Sequence, residues 1–538
     1  MQELLCRIKA YIQPFERQLA LMELESVAGA VPLPVPGLLY EPIVYSVRTS
    51  QSLDYLADTL TYWETVGPAA ATNGRYTRQI RREATVNVVR NGISPARLQA
   101  LLPFDGKAIP IPNRRVLRYG THGVHEYRGK FFPQLARALL NIAGVRRDDV
   151  VLDPMCGSGT TPVEAALLGC IAFGVDVNPL SVLMSRAKCD ILRVSPDLLL
   201  SEYERLKTDV LSPRLANDTL PWFEHLPDRD RIYLSSWFSP RVLADLDAIA
   251  VSVHAVRDPA CRDLFRLCLS NILRSVSWQK GADLRVRKEI RADANIDALA
   301  EFTSELDRTM RTVLAFLFEE RTLEPGPVQI IEGDARTLAT AYLSLLELEG
   351  AVTAVVTSPP YATALPYLDT DRLSLCYLGL LPRSDHRHRD NEMIGNREIT
   401  ESRRRIYWSY YQQQRAELPC AVTAVIDRIH TLNESQQVGF RRRNLPALLS
   451  RYFLDMRQVF HNIVLLLKPG GHAYVVIGNN HTIAGGQRVD IETARLLGLI
   501  GQSVGLKLEQ TIPMEMLVSR DIFKKNAVAS ETILCFRK

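Results

Sequence analysis

Between residues 131 and 177 the spacing of apolar positions changes several times. From Phe131 to Val145 they recur every three or four residues, which predicts a helix, and DVVLD at 149–153 is then a short apolar run of strand length. A glycine-rich turn and another helical stretch follow, and IAFGVDV at 171–177 reads as a second strand. This order is the grammar of an open α/β sheet. It then stops: residues 191–325 read as mostly helical, with periodic segments such as SPRVLADLDAIAVSVHAVR, and form an expected insertion. The alternation resumes with VQIIEGDA at 328–335, AVTAVVTSPPY at 351–361 and a helical stretch through Leu380. A second interruption, 383–449, is polar and rich in arginine. The pattern closes with a helix ending at LLLKPGG, the strand HAYVVIGN at 472–479, a helix around ETARLLGLIGQSVG and a last strand, ETILCFRK.

The expected organisation is therefore a core in three pieces, 116–190, 326–382 and 450–538. They are separated by insertions at 191–325 and 383–449 and preceded by an accessory region, 1–115. Within that region MQELLCRIKAYIQPFERQ predicts a short amphipathic helix, VPLPVPGLLYEP at 31–42 an extended connector, and RYTRQIRRE at 75–83 a basic stretch with no legible chemistry. The fold class is α/β with a mixed, mainly parallel sheet and helical insertions.

Composition narrows this only a little. A chain of 538 residues exceeds a single typical domain, so a catalytic core with added modules is the natural expectation. Lys and Arg number 65 against 60 Asp and Glu, an excess too small to signal nucleic acid unless the basic residues cluster locally. The nine cysteines form no CxxC pair, which suits reduced thiols in a cytoplasmic protein and offers no metal site. Apolar windows are broken by charge well short of the roughly twenty residues that span a bilayer.

The glycine turn carries the first chemistry. In VVLDPMCGSGTTPVEAALLGCIAFGVDVNPL the small residues Gly157, Ser158 and Gly159 allow close approach of a ligand, and Asp176 at the end of the second strand can accept ribose hydroxyls. The turn lacks the lysine of a triphosphate loop. Asp153 and Pro154 open it, where a carboxylate repels pyrophosphate but can hold a cationic amino group. S-adenosylmethionine presents such a group. Asp334, in EGDA, closes the third strand and could reach an adenine amino group.

The second chemistry is Ser358, Pro359, Pro360 and Tyr361. Two consecutive prolines fix the backbone and remove amide donors, leaving carbonyl oxygens in set directions. An aromatic amine is a poor nucleophile because its lone pair is delocalised; acceptors for both N–H groups favour a more pyramidal nitrogen. The Ser358 side chain and the Pro359 carbonyl are the expected acceptors, with Tyr361 stacking on a flipped base.

On these residues the chain resembles the DNA amino-methyltransferases of restriction-modification type. Asp153 to Thr161 resembles their motif I, DPxxGSGTT; Ser358 to Tyr361 resembles motif IV; HEYRGKFFPQL at 125–135 resembles motif X. The order X, I, IV is the non-permuted one. The resemblance implies a class I, Rossmann-like methyltransferase core. It also implies S-adenosylmethionine as cofactor, held by Lys130, Phe131, Asp153, Pro154, Cys156, Gly157, Gly159, Thr160, Asp176, Asn178, Asp334 and Ala335. The implied substrate is double-stranded DNA, with cytosine N4 favoured over adenine N6 because serine opens the tetrad. A restriction endonuclease or other defence-system subunit is a conceivable partner. Arginines in the insertions, beside aromatic residues, are the candidate DNA contacts: Arg285, Arg287 and Lys288 in the first, and Arg403, Arg404, Arg405, Arg441, Arg442 and Arg443 in the second. A solvated helical face is the competing reading of these charges. An RNA or tRNA amino-methyltransferase and a catalytically idle DNA-binding subunit remain the alternative functions.

Overall fold

The computed structural model describes residues 1–538 except 38–42, 70–73, 91, 128, 130, 213–218, 281–286, 291–295, 342–346, 363–366, 397–398, 435–436 and 516–529. The chain begins with a strand and not a helix. β1 (Gln2–Ile8) pairs antiparallel with β3 (Val44–Thr49) and β4 (Trp63–Pro68), and β2 (Leu33–Pro34) and β5 (Arg75–Tyr76) complete a sheet of order β2-β3-β1-β4-β5. Leu4, Cys6 and Ile8 point inward at a spacing of two. So short a segment fits both periods, and the cross-strand partners decide it. The helix starts later, at α1 (Pro14–Ala28), where Pro14 occupies the first helical position.

The basic stretch leads into α2 (Arg78–Val89), where Arg82 faces inward while Arg78 and Arg81 are half-buried in ion pairs. Arg82 is fully buried and pairs with Glu320 through both Nε (3.0 Å) and a terminal nitrogen (2.9 Å). One core mixes Leu4, Leu19 and Trp63 with Leu139 of α3 (Pro133–Ile142) and with Val356, Val476 and Ile533 of the larger sheet. The amino-terminal module thus covers one face of that sheet.

The larger sheet has seven strands in the order β13-β14-β10-β9-β6-β7-β8. Those strands are β6 (Val150–Asp153), β7 (Ile171–Asp176), β8 (Val328–Glu332), β9 (Val352–Thr357), β10 (Leu467–Gly478), β13 (Lys507–Glu515) and β14 (Ser530–Arg537). β10, β9, β6, β7 and β8 are parallel, and β14 enters antiparallel to β10 and β13. After β6 the chain moves outward to β7 and β8, then returns to place β9 on the other side of β6. The loops leaving β6 and β9 consequently lie side by side at the carboxyl edge, the switch point where open α/β sheets bind ligands. A small hairpin, β11 (Asn480–Ala484) with β12 (Gln487–Ile491), follows β10.

α4 (Thr160–Leu167) and α5 (Pro179–Asp190) follow β6 and β7. Helices Pro196–Leu211, Pro240–His254 and Pro259–Leu273, with α6 (Ala298–Glu319), pack with α5 in a second core. After β9 come α7 (Tyr367–Tyr377), α8 (His386–Glu392), α9 (Glu401–Gln414), α10 (Cys420–Glu434) and α11 (Phe440–Leu466). α12 (Thr493–Ser503) lies between β12 and β13. Among the described residues no helix is long and apolar enough to cross a membrane.

Candidate active site

β6 delivers Asp153 to the carboxyl edge, and the turn after it needs glycine twice. Gly157 has φ +50° and Gly159 φ +81°, both left-handed. A Cβ on Gly157 would stand 2.9 Å from the ring of Tyr127, and one on Gly159 would stand 2.9 Å from the Ser185 backbone. Asp176, at the end of β7, ties this turn to its own: its carboxylate accepts from the amides of Gly157 and Asn178, each at 2.8 Å. Asn178 caps α5 by accepting from the Leu180 amide (3.1 Å) and donates to Asp371 of α7 (3.0 Å).

Around this turn lies a cleft of about 800 Å³. Phe131, Pro154, Cys156, Thr160 and Ala335 line it, as do the acids Asp153, Asp176 and Asp334. Burial pushes Asp153 up to about 7 and Asp176 up to about 6. None of its described lining residues is Lys or Arg. A pyrophosphate would therefore face carboxylates, whereas a ligand bearing an ammonium and a sulfonium would relieve the cost of ionising them. Ser158, also buried in the wall, has a hydroxyl with no hydrogen-bond partner among the described residues. These features fit S-adenosylmethionine. Asp153 and Asp176 would face its charged and ribose groups. Asp334 is already engaged, accepting from Arg336 at 2.6 Å, so both partners would have to share any adenine contact.

The tetrad borders the same cleft. β9 is buried along its whole length and ends at Thr357; Ser358 and Pro360 then line the cleft, while Pro359 is buried behind them. Tyr361 is not among the cleft-lining residues: its hydroxyl donates to Glu531 at the start of β14. Gly395, at φ +79°, sits so close that a Cβ would meet the Tyr361 carbonyl at 3.1 Å and Pro360 at 3.2 Å.

Sequence reasoning missed that the second insertion closes this cleft. Glu392, Met393 and Ile394 line it, as do Tyr127, Met155, Ser158 and Gly333. Met393 and Ile394 are held over it by arginines. Arg336 donates to the Glu392 carbonyl (2.7 Å) and pairs with Asp455 (3.1 Å), Arg451 donates to the Asn391 carbonyl (2.6 Å), and Arg389 pairs with Glu332 (2.7 Å). The signal available was the apolar pair Met393-Ile394 within an otherwise polar stretch; Tyr127 lay inside a segment already singled out.

Lys130 and Arg285 lie outside the described residues. Arg287 and Lys288 are exposed, with the Lys288 ammonium 6.0 Å from the Trp237 ring centre. Arg403, Arg404 and Arg405 sit on the first turn of α9, where Arg404 pairs with Glu401 and Arg403 donates to the Tyr407 hydroxyl (3.3 Å). Arg441, Arg442 and Arg443 are exposed on the first turn of α11.

Residues 123–184 are similar to the family described as RMKL-like, methyltransferase domain. Type II methyltransferase M.BsoBI of Geobacillus stearothermophilus is 21% identical over 443 residues, covering 73% of this chain and 81% of the relative. Type II methyltransferase M.MvaI of Kocuria varians is 27% identical over 292 residues, covering 52% of this chain and 62% of the relative. A tRNA (guanine(10)-N2)-dimethyltransferase of Methanothermobacter thermautotrophicus is 42% identical, but over 52 residues, 10% of this chain and 16% of the relative.

Proposed function

We propose that this chain, a class I methyltransferase that uses S-adenosylmethionine, methylates the exocyclic amino group of a base in double-stranded DNA, cytosine N4 ahead of adenine N6. One observation carries the reading. Ser358 and Pro360, on a strand end fixed by two prolines, border an acidic cleft suited to a cationic nucleoside. The similarity to type II methyltransferases along most of the chain supports DNA over RNA as substrate, since the tRNA enzyme matches only a short segment.

When bound, the cofactor supplies an electrophilic methyl group on sulfur. The protein's part is to prepare the nitrogen. The Ser358 hydroxyl oxygen and the Pro359 carbonyl accept its two N–H groups, which draws the lone pair out of the ring and aims it along the cleft. Tyr361 holds the extruded base by stacking. Arg285, Arg287, Lys288, the triplet at 403–405 and the triplet at 441–443 contact phosphates, and the two insertions read the site. A restriction nuclease that cleaves the unmethylated sequence is the companion this reading invites.

Transfer of radiolabelled methyl from S-adenosylmethionine to plasmid DNA and to total tRNA tests it. Label in DNA alone, lost in Ser358→Ala while cofactor binding persists, is expected. Label in tRNA alone overturns the choice of DNA.

A further inference from the structure

Arg451 marks the level of the cleft on α11, because its guanidinium donates to the carbonyls of Asn391 and Glu392, and Glu392 borders the cleft. From Arg451 back to Phe440 the helix continues for eleven residues, about 16 Å at 1.5 Å per residue. The other end of α11 leads directly into β10, and the Leu465 carbonyl accepts from Gly350 just ahead of β9 (3.0 Å). The carboxy end is thus at the far edge of the sheet, and the amino-terminal stretch stands out beyond the catalytic edge.

α9 stands beside it and points the same way. Asn444 donates to the Ile399 carbonyl (2.9 Å), and further along both helices Arg451 donates to the Tyr407 hydroxyl (2.8 Å). Both contact positions advance together, so the helices are parallel, and α11 begins more than a turn further out than α9. The projection is braced. Pro446 cannot donate to the Arg442 carbonyl, as a helical residue there normally would, and Asn433 of α10 donates to that carbonyl instead (2.8 Å).

The two arginine triplets, distant in sequence, lie on the amino-terminal stretches of these neighbouring helices. Arg405, Arg441, Arg442 and Arg443 are exposed, and Phe440 and Ile406 are more than half exposed beside them. Gly395 packs against Pro360 and Tyr361, and the four residues from Gly395 to Ile399 span at most about 15 Å. Duplex DNA carries a charge every ~1.7 Å along its axis. A duplex with its target base at the tetrad therefore lies within reach of the projecting helices.

We propose that the paired amino ends of α9 and α11 form one phosphate-binding wall that holds duplex DNA beside the cleft, with Phe440 against the sugars or bases. The proposal rests on the reading of the chain as a DNA methyltransferase. The occupant is a duplex, since a polyanion matches the arginines and an apolar side chain among them finds cover in a groove.

Fluorescence anisotropy with a labelled duplex, from about 50 to about 200 mM salt, tests it with wild type, the combined variant Arg441→Ala, Arg442→Ala, Arg443→Ala, and the same three positions changed to Lys. The alanine variant should bind at least about tenfold more weakly, and its plot of log affinity against log salt should be shallower by about 2.7. The lysine variant should keep the salt slope and most of the affinity, because counterion release depends on the charge that neutralises each phosphate and lysine supplies it too. Phe440→Ala should weaken binding with the salt slope unchanged. Cofactor binding and thermal midpoint should stay at wild-type values in all of them. If wild type methylates DNA and the alanine variant binds the duplex with unchanged affinity and slope, the wall is wrong while the function stands. If wild type neither binds nor methylates duplex DNA, the function itself fails.

Discussion

The hydroxyl of Tyr361 donates to the carboxylate of Glu531, joining the end of the tetrad to the first turn of hydrogen bonding in β14. Glu531 is half-buried, and burial raises its pKa while the tyrosine bond lowers it. The ring is thereby fixed at both ends, by the prolines before it and by the carboxylate at its tip. A stacking platform that cannot turn loses less entropy when a base arrives.

Removing the acceptor should therefore cost turnover more than binding. Glu531→Ala is expected to lower kcat about tenfold with DNA KM little changed, and Glu531→Gln, whose carbonyl still accepts, to recover most of it. Tyr361→Phe should resemble Glu531→Ala. Tyr361→Ala should lose roughly 5- to 150-fold, the value of one base stack. Steady-state methyl transfer to an oligonucleotide duplex measures all four.

The proposed role of Asp153 predicts a pH dependence of defined direction. Burial pushes its carboxyl up to about 7, and that of Asp176 up to about 6. If Asp153 holds the cofactor's ammonium group as proposed, only its ionised form does so, and cofactor affinity should rise about tenfold between pH ~6 and pH ~8. For stability the sign is opposite. The folded, ligand-free state holds the proton more tightly than the unfolded chain, so this contribution is full below about pH 4 and is lost as pH rises through about 7. Asp153→Asn should raise the thermal midpoint of the ligand-free protein at pH ~8 while weakening cofactor binding and flattening its pH dependence. Calorimetric titration and thermal melts across that range check both.

Gly157→Ala should act on the cofactor and spare the fold. The left-handed backbone and the nearby Tyr127 ring leave a methyl no room, so the loop must shift. Cofactor affinity is expected to fall about tenfold, within the range of a ~1–3 kcal/mol backbone strain. Duplex binding measured without cofactor should be unchanged.

Much of this was legible before any coordinates. The parallel strands β6, β7, β8 and β9 are compact apolar runs, and the loops between them announced both halves of the site. The remainder was hidden for physical reasons. Gln2–Ile8 fits a strand and a helix equally well until its partners β3 and β4 are known, and 42 residues separate its start from the nearer of them. Met393 and Ile394 reach the cleft through Arg336, Arg389 and Arg451, contacts that only the tertiary fold creates. Arg82 reads as a surface cation and is buried against Glu320, 238 residues away.

Arg336 holds the cleft's outer wall, and its loss should show it. Arg336→Met would leave the nearly buried Asp455 without its closer partner and free the Glu392 carbonyl. Stability is expected to fall by roughly 2 kcal/mol, the scale of lost hydrogen bonds to charged groups, because Arg451 still pairs with Asp455 at 3.3 Å. The cofactor KM should rise severalfold. Urea unfolding and kinetics at saturating DNA separate the two effects.

The most direct test of the central claim is to express the chain in a host free of DNA methylation and map its genome by sequencing that distinguishes N4-methylcytosine from N6-methyladenine. The account predicts N4-methylcytosine within one defined sequence, absent from cells carrying Ser358→Ala. A genome with neither mark, from cells whose purified enzyme transfers labelled methyl to RNA, would contradict it.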